Sequence, residues 1–287
     1  MCNLEPFPRT IVGGVSLPRL LVGTNWFLGW SHTSLAKDNF IRGYQTRQRI
    51  AAVLRVFLEY GIDAVMGPLS IHLDQSIQDV EQSTGRRIIR IYTPAFNLNP
   101  NAPSLEQAGT VFDRCAELRA TFCMPHQSVT DALIDRRAGV IRDLDQYTSM
   151  IRARGMLPGL STHMPEAIIY ADKMEADVVT YLQIYNSAGF LMQVEADWVM
   201  RIIREAKKPV MTIKPFAAGQ LRPYQALTFS WNAIREQDMI TVGTMSPKEA
   251  EELIELSLNI LGKQAVTMKL QETRSKATIK PKAPVKA

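Results

Sequence analysis

The sequence lacks long apolar runs and paired cysteines, and each absence excludes a class of protein. No uninterrupted apolar run approaches the roughly 18 residues of a membrane span, so no transmembrane segment is predicted. The first residues lack a basic segment followed by an apolar one, and we predict no signal peptide. Cys2, Cys115 and Cys123 show no paired spacing, which argues against a disulfide framework. We therefore expect a cytoplasmic protein that does not associate with membranes.

The net charge of +5 comes mainly from one end of the chain. Beyond about residue 263 a single acidic residue, Glu272, is outnumbered by basic ones: Lys269, Arg274, Lys276, Lys280, Lys282 and Lys286. The rest of the chain is close to neutral, so nucleic-acid binding is not predicted. We predict an N-terminal extension over residues 1–9, one domain over 10–264, and a disordered basic tail over 265–287.

Eight times along the chain, an apolar run typical of a strand is followed by a stretch typical of a helix. The clearest of these runs lie at 180–186 and 210–219. Repeated strand–helix units form a parallel sheet, and eight of them close into a barrel of about 250 residues. We predict a single (β/α)8 TIM barrel. Gly13 and Gly14 separate two short apolar runs, which indicates a β-hairpin that closes the bottom of the barrel.

The connection after the fourth predicted strand is longer than the others. Its helical pattern runs to Gly155 and is interrupted near residues 137–139. We predict an inserted helix over 128–140 that covers the barrel mouth.

Lys214 is the most informative residue at a predicted strand end, because such ends carry the active sites of barrel enzymes. It follows the apolar strand at 209–213 and precedes Pro215. Burial in the mouth would lower its pKa and favour the neutral amine, which can form a Schiff base or act as a base. The alternative is a lysine that pairs with an acid or holds an anion.

His126 and His163 end adjacent predicted strands, where their imidazoles can converge. Two imidazoles can relay protons, or can hold a metal with help from Asp63, Gln183 or Asn25. No His-x-His or Glu-x-x-His spacing is present, so we predict no metal site. The alternative is that both histidines only form hydrogen bonds at the start of the loops that follow the strands.

Two further pairs of polar residues are candidates for ligand binding. Gln183 and Tyr185 alternate on one strand and share a face. If that face is inward, Gln183 binds a polar ligand group and Tyr185 exchanges a proton; otherwise Tyr185 is a packed core residue. Thr244 and Ser246 precede a helix N-terminus, where they either bind a phosphate or cap the helix.

Five segments resemble the aldo/keto reductases: 17–26, 159–163, 183–186, 214–221 and 242–247. That family reduces carbonyl compounds with NAD(P)H on a (β/α)8 barrel, using an Asp, a Tyr, a Lys and a His. Only His126 occupies the position of the family's histidine. Asp63 falls near the aspartate, whereas no residue here matches the tyrosine or the lysine.

The resemblance also implies where a nicotinamide cofactor would bind. Ser161, Thr162 and Gln183 match the positions that hold the nicotinamide amide. Glu249 aligns with an arginine that binds the adenosine phosphate in many members, and a carboxylate there repels a phosphate. NADP is therefore disfavoured, NAD is left open, and the cofactor is not assigned.

Three functions are consistent with these residues, and each implies a small-molecule ligand or a partner. The first is a lyase or isomerase that acts on a small polar carbonyl compound, with Lys214 as base or amine and His126 as proton donor. The second is an NAD(P)-dependent oxidoreductase of the aldo/keto reductase type. The third is a non-catalytic barrel that binds a ligand or a protein. The sequence leaves homo-oligomer formation open.

Overall fold

A parallel sheet of apolar strands forms the centre of the computed structural model, which describes residues 6–98 and 104–266. The strands are β1 (Arg9–Val12), β2 (Val15–Pro18), β3 (Leu20–Gly23), β4 (Ala64–Gly67), β5 (Ile89–Tyr92), β6 (Phe122–Cys123), β7 (Ile134–Asp135), β8 (Val140–Ile141), β9 (Leu157–Pro158), β10 (Leu160–Thr162), β11 (Tyr181–Ile184), β12 (Val210–Ile213) and β13 (Met239–Val242). The central sheet has the order β10-β11-β12-β13-β3-β4-β5-β6-β9.

The sheet closes on itself through Gly159. This residue separates β9, which pairs with β6, from β10, which pairs with β11. The two segments therefore form one barrel strand that joins both ends of the sheet. The predicted (β/α)8 TIM barrel is confirmed, with eight strands and an outer layer of helices.

Helices surround the barrel and connect its strands. They are α1 (Asn25–Leu28), α2 (Leu35–Tyr44), α3 (Arg47–Glu59), α4 (Ile71–Thr84), α5 (Ser104–Glu117), α6 (Gln127–Thr130), α7 (Leu144–Arg152), α8 (Glu166–Lys173), α9 (Ala196–Glu205), α10 (Pro223–Ala233) and α11 (Pro247–Leu261). Short 3-10 turns lie at Asp131–Leu133 and Ala217–Gly219. None of the helices in the described ranges is long and apolar enough to cross a membrane.

Side chains alternate between the barrel interior and the helix layer along each strand. On β11, Leu182 belongs to the interior cluster, whereas Tyr181 and Tyr185 belong to the cluster between barrel and helices. On β12, Met211 faces the interior and Val210 faces the helices. This alternation decides which side chains reach the barrel mouth.

The N-terminal hairpin closes the bottom of the barrel, as predicted. β1 and β2 pair antiparallel through the turn at Gly13 and Gly14, both of which have positive φ. Val12 and Leu17 flank this turn and are fully buried in the interior cluster. The hairpin therefore excludes solvent from the end of the barrel opposite the strand termini.

The prediction of a helix over 128–140 is wrong. Residues 127–141 form the single turn α6, a 3-10 turn and the two-stranded hairpin β7–β8. The hydrophobic spacing of this segment arises because Val129, Leu133 and Ile141 pack into the core from consecutive short elements. The predicted tail over 265–287 lies outside the described residues from 267 onward.

Close contact between β3 and β4 requires a glycine at position 67. A Cβ added at Gly67 would lie 1.8 Å from Thr24 Oγ1. That hydroxyl donates a hydrogen bond to the carbonyl of Met66 at 3.2 Å, so it cannot move away without losing a buried partner. The first two barrel strands therefore meet at the mouth only because residue 67 has no side chain.

We expect Gly67→Ala to lower the free energy of unfolding by about 3 kcal/mol, because the added methyl overlaps the Thr24 hydroxyl. Urea unfolding measures the change. Gly43→Ala is the matched control, since Gly43 lies in α2 with open space around its Cβ, and should be neutral or stabilising. Thr24→Ala removes the obstructing hydroxyl and should restore part of the loss. Equal losses in the single and double variants would contradict this packing.

Candidate functional site

A cavity of about 620 Å³ opens at the carboxyl ends of the barrel strands. Its floor is mostly apolar and includes Met66, Leu182 and Ile213, and Trp26 and Trp30 line its side. Four nitrogen bases also line it: His32, His126, His163 and Lys214. Three of the four histidines in the sequence thus meet one lysine in a single cavity. Among residues 6–98 and 104–266, no Asp or Glu lines it.

Lys214 reaches the cavity because its backbone leaves the strand conformation. By alternation along β12 it would face the helices, as Val210 does. Its φ of 60° lies in the left-handed region, which a non-glycine residue rarely adopts. Its Nζ lies 3.4 Å from His163 Nε2 inside the cavity. The structure therefore places a strained lysine backbone where its amine meets an imidazole.

Desolvation controls the protonation state of this pair. Burial lowers the pKa of Lys214 from 10.5 to about 8. Burial, together with the positive charges of Lys214, His126 and His32, lowers the pKa of His163 to about 3. His163 is therefore neutral at physiological pH, and Lys214 has a much larger neutral fraction than an ordinary lysine.

Asp131 fixes the end of the strand that carries His163. Its carboxylate accepts a hydrogen bond from Thr162 Oγ1 and another, at 3.1 Å, from the His163 backbone N–H. Burial raises the pKa of Asp131, while these hydrogen bonds act in the opposite direction. Sequence reasoning missed this residue, because nothing in its local pattern shows that it lies beside a strand about thirty positions further on.

His126 is oriented by the first turn of α6. The backbone N–H of Ser128 donates to His126 Nδ1 at 3.3 Å, and Ser128 Oγ lies 2.8 Å from the same nitrogen. Because Nδ1 accepts, the neutral ring carries its hydrogen on Nε2. Burial and the charge of Lys214 lower the pKa of His126. His126 can therefore act as a neutral hydrogen-bond donor in the cavity.

His32 lies at the rim and was missed as a site residue from the sequence. It occupies the loop between α1 and α2, with a positive φ of 58°. Asn25 Nδ2 donates to His32 Nε2 at 3.2 Å, so the neutral ring carries its hydrogen on Nδ1. Burial and Lys214 lower the pKa of His32, whereas Asp38 acts to raise it. The sequence pattern that could have identified His32 is its position in the loop after the first barrel strand.

Comparison with known proteins shows a shared fold at low sequence identity. No protein-family model and no curated protein sequence matches the chain. A Pseudomonas aeruginosa structure assigned to the aldo-keto reductases covers 91% of this chain and 100% of its own length, with a TM-score of 0.65 and 13% identity. An aldo-keto reductase from Klebsiella pneumoniae, in complex with NADPH, covers 94% of this chain and 99% of its own length, with a TM-score of 0.55 and 14% identity.

The barrel has the fold of the aldo/keto reductases. The same barrel also matches an octameric ribulose-1,5-bisphosphate carboxylase/oxygenase from Pyrococcus horikoshii, with a TM-score of 0.52, 12% identity, and coverage of 88% of this chain and 60% of the other. Proteins with this fold catalyse different reactions, so the fold alone does not identify a reaction for this chain.

Two residues expected in the site lie on the other side of the strand. Gln183 and Tyr185 share the helix-facing side of β11 with Tyr181, and neither lines the cavity. Gln183 is fully buried, and its Nε2 donates to the backbone carbonyl of Ile184. Tyr185 stacks on Phe229 at 5.2 Å between ring centroids, and burial raises its pKa to about 12. Tyr185 therefore takes the core-residue alternative.

Of the other residues predicted to bind a cofactor, one lines the cavity and three do not. Ser161 lines the cavity, whereas Thr162 is fully buried and donates to Asp131. Thr244 is buried and lies outside the cavity lining. Ser246 caps α11 by accepting from the Glu249 N–H. Of this group, only Ser161 is positioned to contact a molecule in the mouth.

These positions do not fit a nicotinamide dinucleotide in the manner of the aldo/keto reductases. Gln183 faces the helices and cannot reach a nicotinamide amide in the cavity. The Glu249 carboxylate accepts the Met245 N–H at 2.7 Å, so it occupies the N-terminus of α11, where a phosphate would bind. No group of metal-ligating side chains suited to a metal ion occurs within the described ranges either.

We expect Lys214→Gly to be more stable than Lys214→Met by about 1 kcal/mol, because glycine adopts a positive φ without strain. Urea unfolding of both variants measures this difference, which is independent of charge because neither variant titrates. A glycine variant that is less stable than the methionine variant would show that the left-handed backbone costs little here.

The pH dependence of stability provides a separate check on the burial of Lys214. Its pKa is about 8 in the folded protein and near 10.5 when unfolded, so the unfolded state binds more protons between these values. The stability of the wild type relative to Lys214→Met should therefore rise as the pH increases from about 8 to 10.5. Parallel stability curves for the two proteins over this range would contradict a lowered pKa.

Proposed function

We propose that this protein is an enzyme that acts on a small carbonyl compound through a Schiff base at Lys214. The supporting observation is the position of the Lys214 amine, which is partly buried in the cavity with His163 beside it and no lining carboxylate among the described residues. At pH 7 the neutral fraction of an amine with a pKa of about 8 is about 300-fold larger than that of an ordinary lysine.

The chemistry requires a nucleophile, a proton donor and a way to lose water. The neutral Nζ of Lys214 attacks the carbonyl carbon, and the new C–N bond forms as the carbonyl oxygen gains a proton. That proton is the one that the amine loses on attack, and His126, whose neutral ring carries hydrogen on Nε2, stabilises the same oxygen by donating a hydrogen bond to it. A second proton, taken from solvent, converts the hydroxyl into water; the C–O bond then breaks as the nitrogen lone pair forms the C=N bond of the protonated imine. The imine then withdraws electrons from the adjacent carbon, as lyases and isomerases require.

His163 is assigned to proton transfer at the amine. Its Nε2 lies 3.4 Å from Lys214 Nζ, within reach of the proton that the amine loses on attack. Its lowered pKa keeps the ring neutral, so it can accept this proton transiently and pass it to the carbonyl oxygen. Asp131 holds the His163 backbone and thus acts as a positioning residue.

Reductive trapping tests the proposal directly. Borohydride added with a carbonyl ligand should reduce the imine and attach the ligand to Lys214, as located by peptide mass spectrometry. Labelling should increase with pH through an inflection near 8, because only the neutral amine attacks. Lys214→Met should abolish it.

Lys37→Met is the matched control, since Lys37 Nζ lies 5.5 Å from the ring centroid of the cavity residue Trp26. Labelling that persists in Lys214→Met, or that disappears in Lys37→Met, would overturn the assignment to Lys214.

The aldo/keto reductase alternative is tested in the same preparations. Because Gln183 and Glu249 do not fit the cofactor, we expect neither NADH nor NADPH at millimolar concentration to raise the melting temperature. A saturable stabilisation by either nucleotide would instead favour the oxidoreductase.

A further inference from the structure

The lining of the cavity carries groups of one charge type. Lys214, whose pKa of about 8 leaves it mostly protonated at pH 7, is a cation in this lining, and no carboxylate lines the cavity in the parts of the chain that the structure describes. The nearby carboxylate of Asp131 is committed to the backbone N–H of His163 and to Thr162. A cavity lined in this way attracts anions and repels cations.

Thr241 provides a second, independent indication of a polar ligand. Its side chain lines the cavity and is 7% exposed. Its Oγ1 has no hydrogen-bond partner among the described residues. A buried hydroxyl without a partner is unfavourable, so a ligand oxygen that pairs with it is stabilised.

The topology places Thr241 on the strand next to the one that leads into Lys214. β12 and β13 pair in parallel, with Thr212 opposite Ile240. Continuing this register places Thr241 opposite Ile213, one residue deeper than Lys214 on the neighbouring strand. Because both side chains line the same cavity, one compact ligand can contact both residues.

We propose that the ligand is an α-keto acid with an apolar side chain. Its keto carbon faces Lys214 Nζ, and its carboxylate accepts a hydrogen bond from Thr241 in a cavity whose described lining has no competing carboxylate. Its side chain lies on the apolar floor at Met66 and Leu182. The assignment of the keto group rests on the proposed Schiff-base function, whereas the assignment of the carboxylate does not.

A carboxylate fits this cavity better than a phosphate. In barrel enzymes a phosphate commonly binds after the last two strands, at a helix N-terminus. Here Glu249 and Ser246 already satisfy the N-terminus of α11. The apolar floor also suits a ligand in which the charge is confined to one end.

Three probes of matched shape separate the two assignments. α-Ketoisocaproate carries both groups, methyl isobutyl ketone lacks the carboxylate, and isocaproate lacks the keto group. We expect borohydride trapping of the keto acid to reach half-saturation at about 10-fold lower concentration than that of the ketone, because a charged acceptor strengthens its hydrogen bonds. Isocaproate should bind in calorimetry without being trapped.

Each alternative outcome rejects a different assignment. Equal trapping of the ketone and the keto acid would overturn the carboxylate assignment while leaving the Schiff base intact. Binding of isocaproate without trapping of either carbonyl probe would overturn the Schiff base while leaving carboxylate recognition intact. Inorganic phosphate that competes as strongly as isocaproate would overturn the choice of a carboxylate.

Two variants test the residues. Lys214→Arg keeps a cation but not the amine, so it should retain isocaproate binding and lose trapping. Thr241→Val keeps the shape and removes the hydroxyl, and should weaken isocaproate binding about 10-fold. Thr212→Val is the control, because the Thr212 hydroxyl donates to the Met239 carbonyl away from the cavity. Unchanged affinity in Thr241→Val, with isocaproate bound normally by Thr212→Val, would remove Thr241 from the site.

Discussion

The closed barrel imposes one constraint on everything at the mouth: each strand alternates its side chains between the interior and the helix layer. The central strand segments are only two to four residues long, so each contributes one or two inward positions. Most of those positions are apolar and fill the barrel, with Met66, Leu182 and Met211 as examples. Polar groups therefore enter the cavity only at the last inward position of a strand or from the loop that follows.

Lys214 departs from this alternation, and its amine is the group on which the proposed chemistry depends. A regular strand would have directed its amine toward the helices, where a buried ammonium would be costly. The left-handed backbone at this residue instead brings the amine to His163, with the same burial that lowers its pKa. Strain in the backbone and desolvation of the amine thus act at one residue, a combination typical of functional positions.

The same alternation explains how a barrel with the aldo/keto reductase fold departs from the cofactor site that its sequence resemblance implies. Gln183 matches a cofactor position along the chain, yet it faces the helix layer and is fully buried. Glu249 caps the last helix instead of leaving its N-terminus open. The segments that resemble the aldo/keto reductases form the same barrel, because apolar strands and helix caps suffice for that fold. They do not fix the orientation of individual polar side chains.

Local sequence patterns are enough to predict the eight strand–helix units, the hairpin at Gly13 and Gly14, and the strand ends at which His126, His163 and Lys214 lie. These features depend on local patterns of apolar residues and turns, which one stretch of chain specifies. The folded barrel shows three further features: Tyr185 faces away from the cavity, residues 128–140 lack the predicted helix, and His32, Asp131 and Thr241 lie beside the other site residues. Those outcomes depend on barrel closure and on one left-handed backbone, which join segments far apart in the chain.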